Sequence, residues 1–198
     1  GSTVNVAFAA DPNYESPADA DTNNVYVVTV LIDDGTADDA NGATTLTITV
    51  ADVNDITPVY AATSTTPTVN EGATAVDSNV AITDADSGDS NTCNLGGADA
   101  GLFTCTLSGQ TAYSVAFSSA PDYETPNSAG SSNEYTVTVS INDGSNDGAT
   151  ITYTVTVADT NDQTPVYQAA DADDAITVNE NVGTGSIDAG TITDTDTV

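Results

Sequence analysis

Residues 51–60 read ADVNDITPVY and residues 158–167 read ADTNDQTPVY, so a ten-residue stretch returns after 107 positions with two changes. Working outward, Phe8 followed by DPNYE at 11–15 matches Phe117 followed by APDYE at 120–124, an offset of 109. Tyr26 matches Tyr135, and the IDDG ending at Gly35 matches the INDG ending at Gly144. On the other side of the ten-residue stretch, VNE at 69–71 returns at 178–180, and ITDAD at 82–86 returns as ITDTD at 192–196. Offsets that drift by two or three residues are what insertions in loops between strands produce. Self-similarity at such a period marks a repeat architecture. The order of the blocks divides the chain into the second half of one repeat at 1–58, a complete repeat at 59–165 and the first part of another at 166–198. A half-repeat cannot bury a core alone. With no initiator Met and no leader sequence, and with a Gly1-Ser2 start that matches a cloning remnant, the chain is expected to be a window on a longer polymer.

The second half of each repeat alternates strictly. In YTVTVSI at 135–141, Tyr135, Val137, Val139 and Ile141 fall on one face and Thr136, Thr138 and Ser140 on the other. In TITYTVTV at 150–157, Ile151, Tyr153, Val155 and Val157 face the core, and Thr152, Thr154 and Thr156 face water. Residues 25–32 and 44–50 repeat the scheme, with an Asp/Asn/Gly-rich turn inside each pair. Nothing competes at helical period. Roughly seven short strands per repeat is the pattern of an all-β, Greek-key sandwich of immunoglobulin-like size.

The chain has no Lys, no Arg and no His against 30 acidic residues. No salt bridge can form between its side chains, and self-repulsion opposes compaction unless outside cations intervene. Nucleic acid is excluded as a partner for want of any basic footprint. No apolar run is long enough for insertion into a membrane. Of the 30 acids, 25 are Asp and 5 are Glu. Some Asp residues suit turns, but such a preference also suits calcium, which takes six to eight oxygen ligands. Without cationic side chains only carboxylates, Tyr and Cys remain for catalysis, so the chain is not expected to be an enzyme. Cys93 and Cys105 can close a small disulfide loop in an oxidising compartment or remain buried thiols.

DxNDxxP closing a repeat, DYE in mid-repeat, NE opening it and DxDSG after its second strand, in that order and at this period, resemble cadherin repeats along the whole chain. The resemblance implies tandem cadherin-like sandwiches, secreted to the cell surface, with Ca2+ held between consecutive repeats. At the junction near 52–58 it implies Glu15, Asp52, Asn54 and Asp55 as ligands, with Asp84, Asp86, Asn91 and Asp143 from across the join. At the junction near 159–165 it implies Glu71, Asp122 and Glu124, the linker residues Asp159, Asn161 and Asp162, and Asp194 and Asp196 of the next repeat. Asp34 corresponds to Asp143 and would serve a junction upstream of residue 1, while the partners of Glu180 would lie beyond Val198. There are departures from the pattern. Asn13 stands where DYE has its first acid. Ile56 and Gln163 end the two linkers where cadherins carry Asn, so one ion per junction would be lost or held by backbone alone. The Trp that adhesive cadherins exchange between partners is missing, so a bacterial or environmental cadherin-like protein fits better. The extracellular setting favours the Cys93–Cys105 disulfide.

The expected function is a structural filament or adhesin stalk whose partners are neighbouring repeats or other copies of the same array. Sites of this kind bind calcium at about 10⁻⁴–10⁻³ M, useful outside a cell. The rival is a module that recognises carbohydrate, ice or a partner cell through its Thr-rich faces or loops. The same Thr rows suit O-linked glycans, whereas no N-x-S/T acceptor occurs.

Overall fold

The computed structural model describes residues 3–33, 43–168, 180 and 191–196. Strands β1 (Val25–Val30) and β2 (Thr44–Thr49) come first. They are followed by β3 (Val59–Tyr60), β4 (Thr68–Asn70), β5 (Ala75–Thr83) and β6 (Thr92–Gly96). A 3-10 turn, Ala100–Leu102, leads into β7 (Phe103–Ser108), β8 (Ala112–Phe117), β9 (Glu134–Asn142) and β10 (Ile151–Ala158). The short strands β11 (Val166–Gln168) and β12 (Thr191–Thr193) end the series. No helix among the described residues is long and apolar enough to cross a membrane.

Two four-stranded sheets, ordered β4-β10-β9-β6 and β3-β5-β8-β7, pack face to face. The alternation read from the sequence decides which face goes inward. Tyr135, Val137, Val139 and Ile141 of β9 and Tyr153 and Val155 of β10 are fully buried. Opposite them lie Val80 and Ile82 of β5, Phe103 of β7, and Tyr113, Val115 and Phe117 of β8. Phe103 stacks on Phe117 with centroids 4.4 Å apart, and Tyr135 meets Phe117 edge-on at 5.1 Å, geometries that add to area burial. The first strand of the repeat is split. Its β3 portion pairs antiparallel with β5, and its β4 portion pairs parallel with β10. Between them Thr154 and Thr156 donate to the carbonyls of Thr65 and Pro67, so the chain changes sheets while its backbone groups stay satisfied. A disulfide joins Cys93 of β6 to Cys105 of β7, the end strands of opposite sheets, with Cα atoms 6.1 Å apart.

The phenol hydroxyls of Tyr113 and Tyr153, deep in the sandwich, are paired. The Tyr113 and Tyr153 hydroxyls lie 3.1 Å apart, and Tyr153 donates to Asp77 at 3.0 Å. Burial, then the Tyr113 hydroxyl, drives the Tyr153 phenol far above its ordinary range, so it stays a donor. Asp77 sits on the irregular part of β5 and also accepts from Thr63 N–H at 2.8 Å.

The flanking segments reproduce the same pairings. Strand β1 pairs with β2, matching Tyr26 to Ile48 and Val28 to Leu46. Strand β11 pairs with β12, matching Tyr167 to Ile192 as Tyr60 matches Ile82. Their apolar faces are less covered: Val4 is 62% exposed, whereas its counterpart Tyr113 in β8 is fully buried.

Candidate metal centre

The acids are held by short loops that the sequence shapes locally. In the NYE loop, Asn13 accepts from Ser16 N–H at 2.7 Å, and in the DYE loop Asp122 accepts from Thr125 N–H at 2.8 Å. Asn and Asp make the same turn, so the exchange at position 13 leaves the loop unchanged. Each loop is tied down from behind. The Asn24 amide donates to the Tyr14 carbonyl and the Asn133 amide to the Tyr123 carbonyl, both at 2.9 Å. Asn24 does this from a left-handed backbone with φ 64°, which Asn tolerates better than most residues. These ties carry Glu15 and Glu124 to the two linkers.

At the first linker, Glu15, Asp55 and Asp86 present carboxylate oxygens within 4.8 Å of one another, and so do Asp84, Asp86 and Asp89. Asp86 belongs to both groups, so they form one continuous site. Direct hydrogen bonds lace the linker to the repeat that follows. Ser87 donates to Asp52 through its N–H at 2.7 Å and through its hydroxyl, and Ile56 N–H donates to Asp86 at 2.7 Å. The Asn54 amide nitrogen donates to Asp89 at 2.9 Å and to the Asp143 carbonyl at 3.2 Å. Asn146 donates to the Asn54 side-chain oxygen at 3.0 Å and to the Ile56 carbonyl at 3.4 Å.

The second linker repeats the design. Glu71, Glu124 and Asp162 form one group and Glu124, Asp159 and Asp196 another, joined through Glu124. Gln163 N–H donates to Asp196 at 2.8 Å, as Ile56 N–H does to Asp86. Glu71 accepts from Tyr123 N–H at 2.9 Å, from Thr160 N–H at 2.6 Å and from the Thr160 hydroxyl at 2.8 Å. The final linker residue therefore contributes its backbone N–H, which explains why Ile and Gln both serve there.

The carboxylates split by environment. Backbone N–H groups of Tyr123 and Thr160 hold Glu71 below the ordinary Glu range. The Ser87 hydroxyl and N–H hold Asp52 low. Burial acts most strongly on Asp143 and raises it, but the N–H groups of Asn146 and Ser145 and the amides of Asn54 and Asn146 bring it below the usual value. Desolvation lifts Glu124, helped by the charges of Glu71, Asp159 and Asp196. Asp89 is lifted by desolvation and by Asp84, Asp86 and Asp143. Glu15 is pulled down most by its own backbone contact, yet desolvation, Asp52, Asp55 and Asp86 together leave it raised.

Thus Glu15, Asp55, Asp84 and Asp86 come together at the first linker, and Glu71, Glu124, Asp159, Asp162 and Asp196 at the second. Asp52 is bound to Ser87 beside the first group. Asn91 is buried, with its amide nitrogen on the Gln110 carbonyl at 2.9 Å. Asp143 is 2% exposed. Asp122 is engaged in its turn, Asn161, Asp194 and Glu180 are exposed, and none of the three acids Asp122, Asp194 and Glu180 joins a group. Asp34 lies outside the described residues. Sequence reasoning missed Asp89, Asn146, Ser87 and Thr160. The acid density of DADSGDSN at 84–91 was the one signal for Asp89. The other three act through hydrogen bonds that no spacing rule announces.

Several oxygens at these sites are buried without a donor among the described residues. They include Glu15 Oε1, Asp84 Oδ2, Asp86 Oδ1, Asp89 Oδ2 and Asp143 Oδ2 at the first linker, and both Glu124 oxygens and Asp196 Oδ1 at the second. Burying an ionised carboxylate unpaired is strongly unfavourable, and the chain holds no Lys, Arg or His to pair with it. The donor set is oxygen only, which suits a hard divalent cation over a soft one.

No family model matches the chain, and no curated protein matches it. Solved structures do. The chain is 27% identical to human CDH23 EC21-23 over 92% of its own length and 58% of that chain, with a TM-score of 0.59. It is 26% identical to the protocadherin gammaB7 EC3-6 cis-dimer structure, covering 77% of itself and 35% of that chain, with a TM-score of 0.57. It is 22% identical to the protocadherin GammaB4 extracellular domain, covering 94% of itself and 28% of that chain, with a TM-score of 0.55. The chain thus spans less than two thirds of each of these relatives. Two sheets of this order, joined at their ends by acid-rich linkers, are the all-β fold of cadherin-like repeats.

Proposed function

We propose that the chain is part of an extracellular, non-catalytic repeat array, a filament or adhesin stalk, stiffened by Ca2+ between consecutive repeats. The supporting observation is the set of buried carboxylate oxygens without donors, concentrated where each linker meets the repeat beyond it. In this reading 59–165 is a complete repeat, flanked by parts of two others. Glu15, Asp52, Asp55, Asp84, Asp86, Asn91 and Asp143 would hold calcium at the first junction. Glu71, Glu124, Asp159, Asp162 and Asp196 would hold it at the second, with Asp122, Asn161 and Asp194 drawn in from the positions described above. Asp34 and Glu180 keep their proposed roles at neighbouring junctions. Bound calcium supplies positive charge and a cross-link between repeats, so the cation acts as a folding ligand. The partners are neighbouring repeats or other copies of the array. The relative solved as a cis-dimer supports that class of partner.

The test is a thermal melt and a small-angle scattering profile in millimolar calcium and in excess chelator. Calcium is expected to raise the melting temperature and extend the particle. Identical melts and profiles would reduce the acids to turn formers and solvation. One observation favours the rival reading: Thr136 pairs with Thr154 and Thr138 with Thr152, forming hydroxyl rows on the outer face of one sheet, open to O-linked glycans or a hydroxylated surface. Retention of the monomeric chain on a polysaccharide matrix would favour it.

A further inference from the structure

The first junction contains an acid that the cadherin pattern does not supply and an amide turned away from the role that pattern gives it. We propose that Asp89 is a direct ligand of the cation held by Asp84 and Asp86, and that Asn54 is the hydrogen-bond donor that positions Asp89 rather than a ligand itself. The inference rests on the junctional-calcium reading and refines which residues make the site.

The orientation of Asn54 is set from both ends. The Ile56 carbonyl can only accept, so the Asn146 amide must turn its NH2 toward it, at 3.4 Å. That same NH2 meets the Asn54 side chain at 3.0 Å and requires oxygen there. The Asn54 NH2 is then left facing Asp89 Oδ1 at 2.9 Å and the Asp143 carbonyl at 3.2 Å, both acceptors. Turning Asn54 over would set its oxygen against two acceptors and its NH2 against another NH2. The network is self-consistent in one sense only, and in that sense Asn54 offers no oxygen to the cluster.

Asp89 has the complementary arrangement. Asn54 takes Oδ1, while Oδ2 is buried and has no donor among the described residues. Its carboxylate shares a space within 4.8 Å with those of Asp84 and Asp86. Two further side chains, each more than nine-tenths buried, bring unpartnered oxygens to the same region. Asp143 is 2% exposed and its Oδ2 lacks a donor, because Ser145 and Asn146 N–H groups engage only Oδ1. Asn91 is 7% exposed, its Oδ1 lacks a donor among the described residues, and it lines the same cleft as Asp84, Asp86 and Asp89. The charges of Asp84, Asp86 and Asp143 all bear on Asp89. Three carboxylates within 4.8 Å of one another, with the Asn91 amide oxygen on the same cleft and Asp143 behind it, begin a set that a cation preferring six to eight oxygens can use.

Calcium titration calorimetry on the full chain, paired with melts in chelator, tests this with Asp89→Asn and Asn54→Asp. Asp89→Asn keeps an acceptor for Asn54 but removes a charge. It is expected to weaken calcium binding at this site about tenfold or more and to raise the melting temperature in chelator, an opposite pair of effects that a structural residue would not give. Asn54→Asp places a carboxylate against two acceptors and is expected to weaken binding similarly. Wild-type affinity in Asp89→Asn, or tighter binding in Asn54→Asp, would overturn the proposal. Absence of any calcium heat in the wild-type chain would bring down the junctional reading along with it, whereas wild-type binding with an indifferent Asp89→Asn would bring down this inference alone.

Discussion

Single carboxylates in this protein behave differently according to what surrounds them, and that sets the sign of its pH response. Glu15, Asp89 and Glu124 are raised above their ordinary values. In chelator they take up protons in the folded chain before the unfolded chain does, so acidifying from neutral toward about pH 5 stabilises the fold. Glu71, Asp52 and Asp143 are lowered. Their contribution is present above the ordinary carboxylate values and is lost as pH falls through the lowered ones. Melting temperature in chelator is therefore expected to pass through a maximum in mildly acid solution. In saturating calcium the maximum should vanish, because protons then compete with the cation and acid only destabilises. Melts across pH in the two conditions check this; a chelated chain that loses stability steadily from neutral pH downward would contradict the raised assignments. At the residue scale the acids of DxND, DxD and DYE were legible in the sequence. Asp89 was not, because what distinguishes it from a turn-forming Asp is the donor that holds one of its oxygens and the burial of the other.

At the scale of the element, alternation read the strands correctly and packing decided how much each face is worth. Strand β9 buries its apolar face completely and β10 all of its own but Ile151, whereas Tyr26, Val28, Leu46 and Ile48, with the same pattern in β1 and β2, are only half-buried. The difference is the opposing sheet. Phe117 stands where that sheet meets β9, against Phe103 and Tyr135. Phe117→Ala is expected to cost about 3–5 kcal/mol, measured by denaturant unfolding in calcium. The equivalent Phe8→Ala, at a position 41% exposed, should cost much less. The split between β3 and β4 was not legible. A strand that leaves one sheet for the other keeps its alternation, and only the parallel pairing with β10 reveals the switch. The Cys93–Cys105 link was legible as a possibility only, because spacing alone does not say that β6 and β7 lie edge to edge across the sandwich.

Across the whole molecule, charge adds to chain entropy in opposing the fold. A formal −30 with no internal cation means that every compact arrangement works against self-repulsion. In chelator, raising monovalent salt from about 10 mM to about 150 mM shortens the Debye length from roughly 30 Å to 8 Å, so the melting temperature should rise with salt. In millimolar calcium the same change should matter less, since on the proposed reading cations would already sit among the clustered acids. Melts in the four conditions measure both effects, and a chelated chain insensitive to salt would show that repulsion does not limit its stability.

Amino-acid order alone determined the repeat, its period, the inward and outward faces of the strands and the identity of most acids that gather at the linkers. These follow from local rules: side chains alternate along a strand, and short Asp and Asn side chains bend a linker and offer oxygen. Tertiary structure alone decided which acids meet. Asp55 faces Asp86 and Glu71 faces Asp162 because the sandwich brings loops far apart in sequence to the same end. Tertiary structure also turned Asn54 toward Asp89 through Asn146, 92 positions away. The sense of an amide depends on which groups around it can only accept, and those groups are assembled by folding.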